Sequence, residues 1–210
     1  MHRAAALAAS AVAATLALVG GGVLALGSDE RPPAARTPFT TTALSAFDTT
    51  GVVVTRGPFC EAVDERQVSA ALGGEATDSA TWQNGDTIDL GNGVEDVADE
   101  FGCRWTGADG AVAQAWIFST PVGADQAQRL ARSAAKGPGC EQAGGPPFGS
   151  PTLALTCTKD GVVRSSYRGL FGDAWLVCEV ARPAGATWDV TDRAGRWCVG
   201  VTEAARAVAD

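Results

Sequence analysis

Histidine is nearly missing from this chain. Its one copy, His2, lies ahead of an apolar N-terminal run, so everything downstream works without an imidazole. That excludes Ser-His and Cys-His nucleophile pairs and every metal site that needs a His ligand. No G-x-x-x-x-G-K-[ST] phosphate loop, G-x-G-x-x-G dinucleotide turn or G-x-S-x-G nucleophile elbow occurs either. The six cysteines include no C-x-x-C pair, which removes haem attachment, thiol exchange and the common zinc spacings. Neither Asn84 nor Asn92 stands in a glycosylation sequon. Basic charge is scarce: 16 Lys and Arg against 24 Asp and Glu leave a net charge of -8, so a nucleic-acid backbone would be repelled by most of the surface. No cofactor and no nucleic-acid partner are expected.

What is present begins with an export signal. From Ala4 to Gly27 there is no charge, and His2 and Arg3 form a short positive start. The run is long enough to cross about 30 Å of hydrocarbon as a transmembrane helix. Its many Ala and Gly residues, and the small-x-small sequence Ala25-Leu26-Gly27, suit a cleaved signal peptide instead. Both readings stay open for residues 1–27. The protein is expected outside the cytoplasm, anchored at the cell surface through this segment or, if it is cleaved, secreted. Residues 28–56, rich in Pro, Thr and Ala, read as a disordered spacer, with Gly51-Val-Val-Val-Thr55 offering a short strand at its end. The chain of 210 residues then has room for one domain, at 57–210, expected to be a monomer.

Turn and capping signals order that domain. Asp64-Glu-Arg-Gln67 has the side chains of a capping box, and Gly73 supplies a stop for the helix between them. Residues 74–100 carry Asn-Gly turns but little periodicity and read as a loop, with one strand around Thr81–Leu90. Cys103–Thr106 and Val112–Phe118 flank an Asp109-Gly110 turn as a hairpin. Ala124–Lys136 reads as a helix. Three strands follow at Thr152–Thr158, Val162–Gly169 and Ala174–Ala181. Val190, Ala194, Trp197, Val201, Ala204 and Val208 form the apolar stripe of a closing helix. The fold class this predicts is α+β: an antiparallel sheet of about five strands with helices packed on one side. Six cysteines allow 15 pairings. The order of elements favours neighbours, Cys60–Cys103, Cys140–Cys157 and Cys178–Cys198, in a compartment where disulfides persist.

Gly57-Pro-Phe-Cys60-Glu-Ala-Val-Asp-Glu, then Ala71-Leu-Gly-Gly, then Cys103-Arg-Trp105 before a hairpin, resembles a family of actinobacterial exported cell-envelope proteins of unknown function. The resemblance implies an exported, disulfide-bearing domain, often lipid-anchored. This chain has no lipid-attachment Cys after its apolar run, and the family lends no activity.

Two groups of residues suggest chemistry. Ser133-Ala-Ala-Lys136 fits the S-x-x-K of penicillin-recognising enzymes, but the partner motifs are absent and Lys159-Asp-Gly161 is the nearest miss. Between Arg66 and Arg104 eight acids stand with no basic residue among them. Asp86, Asp89, Asn92 and Glu95 are the calcium candidates there, since calcium takes six to eight oxygens, although the spacing matches no calcium loop. Trp82 and Trp188 fall in loops, where an indole can stack on a sugar, although partial burial of a large side chain is the favoured reading. The reading that ranks first is a non-catalytic envelope domain binding a protein or an envelope ligand. A calcium- or glycan-binding module is the alternative, and a hydrolase using carboxylates of the 75–100 stretch is the second.

Overall fold

A computed structural model describes residues 39–91 and 93–207, with the backbone alone at 89–91 and 207. Helix α1 (Glu65–Leu72) begins where expected, because Asp64 Oδ1 accepts the N–H of Arg66 at 2.8 Å, and it ends at Gly73, whose φ of 81° favours glycine. Gln67 does not close the capping box. It is buried instead and donates Nε2 to the carbonyl of Arg196 at 2.8 Å, tying α1 to the closing helix.

The sheet grows from its turns. β4 (Glu100–Gly107) and β5 (Val112–Phe118) join through Asp109, whose carboxylate accepts the N–H of Ala111, and Gly110 at φ 82°. β7 (Thr152–Lys159) turns into β8 (Val162–Phe171) through Asp160 and Gly161, both at positive φ, the requirement of a tight two-residue hairpin. β9 (Ala174–Pro183) follows. With β1 (Ala76–Trp82) and the three-residue β6 (Cys140–Gln142), these make one seven-stranded antiparallel sheet in the order β1-β4-β5-β9-β8-β7-β6. Two strands beyond the expected five therefore sit at its edges. A separate hairpin, β2 (Thr87–Gly91) with β3 (Val94–Val97), occupies the stretch read as a loop.

Alternation along the strands divides the core. Ala113, Ala115 and Ile117 of β5 and Leu176, Cys178 and Val180 of β9 face α1 and the closing helix α3 (Val190–Ala207), whose Val190, Ala194, Trp197, Val201 and Ala204 are all buried. Leu170, Trp175 and Val177 point the other way. They pack with Val122 and with Ala127, Leu130 and Ala131 of α2 (Ala124–Ala134). The α+β class, the antiparallel sheet and the helices packed on it match the expectation, but the helices divide between the two faces instead of sharing one. β9 shows why: Ala174–Ala181 is buried at every residue, the pattern of a strand covered on both sides.

All six cysteines are paired, Cys60–Cys103, Cys140–Cys157 and Cys178–Cys198. The spacer expected over 28–56 does not hold for residues 39–56, which pack against the domain: Leu44 and Val54 are buried, the Thr55 N–H donates to Ala205, and Arg196 donates to the carbonyl of Thr41. Residues 28–38 lie outside the described residues. The transmembrane helix is a further correction. Among the described residues no helix is long and apolar enough to cross a membrane, and the segment Ala4–Gly27 that prompted that expectation lies outside them.

Candidate functional site

β1 pairs with β4 on one side and, among the described residues, with no strand on the other. Its sequence, Ala-Thr-Asp-Ser-Ala-Thr-Trp, has no apolar alternation, and every residue but Trp82 is exposed. Such an edge offers unpaired backbone N–H and C=O groups at alternate residues. Lys, Pro and short length are the usual devices that blunt an edge; β1 has seven residues and neither Lys nor Pro, only Asp78 and a bulge between Ala76 and Asp78.

Trp82 anchors the end of this strand. It lies opposite Gly102 in β4, where a Cβ would run into the indole ring, so only glycine lets the ring lie across the backbone. The indole N–H donates to Glu100 Oε1 at 3.1 Å. Burial raises the pKa of Glu100 above its ordinary value; the Trp82 hydrogen bond opposes that rise and the charge of Asp99 adds to it.

Two grooves follow one another along the α1 side of β1. The first, about 430 Å³, lies beneath α1 and is lined by Glu65, Val68, Glu75, Asp78, Ser79 and Trp105, with no basic residue on its walls. The second, about 400 Å³, is lined by Pro58, Phe59, Cys60, Thr81 and Phe101. Ser79 and Trp105 are opposite one another in register, as are Thr81 and Cys103, so the grooves succeed each other at the spacing of same-face residues. A third cavity, about 630 Å³, lies away from β1, between Thr49–Val53 and the loop at Pro147–Thr152.

The sequence candidates take other places. Asp89 and Glu95 are opposite in the β2–β3 register, and Asp86 closes the preceding turn by accepting the Gln83 N–H at 2.7 Å. Among the described residues no group of three or more acidic, Cys or His side chains is placed to hold a metal ion; the Asp89 side chain and Asn92 lie outside them. Ser133 and Lys136 are exposed, and what joins them is a backbone bond, the Lys136 N–H to the Ser133 carbonyl. Trp188 is covered by Arg193, whose guanidinium lies 4.0 Å from the ring centre.

One group escaped sequence reasoning. Glu179, buried in β9 on the α2 face, accepts from Gln114 Nε2 at 3.0 Å and stands 3.5 Å from an Arg164 nitrogen. Burial raises its pKa, and Arg164, Arg168 and the Gln114 bond pull it back. A lone acid inside the apolar run Ala174–Ala181 was the available signal. Neither Glu179 nor Glu100 lines the grooves beside β1.

The chain matches no family model and no curated protein. Among solved structures it is similar to the crystal structure of the extracellular domain of PknH from Mycobacterium tuberculosis, at 12% identity and a TM-score of 0.44, over 74% of this chain and 97% of that one. This likeness is to an actinobacterial extracellular domain and goes no further: it extends neither to the family with the Cys-Arg-Trp motif nor to a lipid anchor.

Proposed function

We propose that this is a non-catalytic domain working outside the cytoplasm, in the cell envelope, and that it binds another polypeptide through the open edge of β1. The observation that carries this reading is a seven-residue edge strand, blunted only by Asp78 and the Ala76–Asp78 bulge, bordered by two grooves on one face. Strand addition at such an edge draws affinity from backbone hydrogen bonds and specificity from pockets that take alternate side chains. Three disulfides support the compartment, since they persist where the surroundings are oxidising. The two carboxylates with raised pKa, Glu100 and Glu179, line neither groove, which lends a hydrolytic reading of these grooves no support.

Hydrogen exchange of the oxidised full chain, with and without protein extracted from the producing cell's envelope, tests this. Amides of β1 should slow selectively when extract is added. Protection confined to other elements would move the site away from the edge and sink the reading.

A further inference from the structure

We infer that the occupant of the β1 edge is an extended segment that presents basic and then apolar side chains on one face. This rests on the reading of β1 as a binding edge and adds the chemistry of the partner. In a bound strand every second side chain would face the α1 side, where the two grooves lie in succession. The first has Glu65 and Glu75 on its walls and no cation, while Asp78 borders it with its side chain on the other face, that of Ala80. The second is mainly apolar, walled by Pro58, Phe59, Ala62, Trp82 and Phe101, with Glu61 as its one acid.

The surroundings have the same sign. From Glu75 to Glu100, a stretch that includes β1 and the β2–β3 hairpin, the chain has eight acids and no basic residue. The nearest cation on β4, Arg104, pairs with Ala80 and so points to the opposite face from Ser79 and Thr81. A second copy of this chain is the natural rival, because edges pair with edges. Antiparallel self-pairing of β1 would bring two such acidic edges together, and like charges oppose that. A basic strand has no such cost, and its lysines or arginines would neutralise the first groove.

The test uses two synthetic peptides of about nine residues, long enough for one strand. One is Thr-Lys-Thr-Lys-Thr-Leu-Thr-Leu-Thr, with its reversed sequence to cover the other strand direction; the other carries Glu in place of Lys. Titration is followed by tryptophan fluorescence, and β1 protection by hydrogen exchange, on the oxidised full chain. The lysine peptide should protect β1 and bind about tenfold more tightly than the glutamate peptide, as several exposed charge pairs would give. Raised salt, or Glu65→Gln with Glu75→Gln, should reduce that difference. Equal binding of both peptides with β1 protected would overturn the charge inference and leave the edge reading standing. If neither peptide protects β1, both fall. Protection of β1 that grows with protein concentration in the absence of peptide would assign the edge to a second copy and overturn the inference.

Discussion

Glu179 has a pKa raised by burial, which makes it a pH-dependent term in stability. A carboxyl whose folded pKa lies above the ordinary 4.5 binds its proton more tightly in the native state. Its contribution is therefore present below that value and lost as pH rises through the raised one. The melting temperature of the wild type minus that of Glu179→Gln should fall as pH rises from below the ordinary 4.5 up through the raised value. Glu100 titrates in both proteins, so the subtraction isolates Glu179. A constant difference would mean that Glu179 ionises no differently in the folded chain. Gly102 gives a second residue-scale expectation. Gly102→Ala sets a methyl against the Trp82 ring and should cost about 1–3 kcal/mol, the range for overpacking, with a shift in tryptophan emission as the ring leaves Glu100. Unchanged stability and emission would show that the ring does not need the glycine. At this scale the sequence was partly misleading: Gln67 was read as half of a capping box, yet its amide serves α3, and Gly200 beneath it leaves room that a Cβ would fill.

Elements that bury at least one face were legible, and those exposed on both were not. α3 shows an apolar stripe where it meets the sheet, and its start at Val190 was read directly from that stripe. The β7–β8 and β4–β5 hairpins were legible from Asp-Gly turns with Gly161 and Gly110 at positive φ. β1 and β3 are exposed on both faces, so no alternation marks them, and the open β1 edge fell inside a stretch read as loop for that reason. The prediction at this scale concerns the anchor of α3. Trp197 is buried, packs edge-on to Trp105 with ring centres 5.5 Å apart, and donates its indole N–H to the Gln114 carbonyl at 3.0 Å. Trp197→Ala should cost about 3–5 kcal/mol in denaturant unfolding, whereas loss of less than about 1 kcal/mol would mean that α3 is held mainly by the Cys178–Cys198 bridge.

The molecule as a whole extends further toward its N-terminus than composition suggested. Pro, Thr and Ala made residues 28–56 resemble a spacer, because that reading counts residue types and cannot register that a few of them meet a core formed elsewhere in the sequence. Leu44 and Val54 are two such residues, and Arg56 adds an ion pair with Asp173 at 3.1 Å and a hydrogen bond to the Ser119 carbonyl at 2.7 Å. Burying two aliphatic side chains is worth about 1.5–3 kcal/mol each, and the entropy of ordering the segment offsets much of that. The net contribution should be on the order of 1–3 kcal/mol, or several degrees of melting temperature at this size. A chain beginning at Phe39 should therefore melt several degrees above one beginning at Gly57, the boundary drawn from composition. Equal melting would mean that the segment rests on the domain without stabilising it, and residues 39–56 would then belong with the spacer after all.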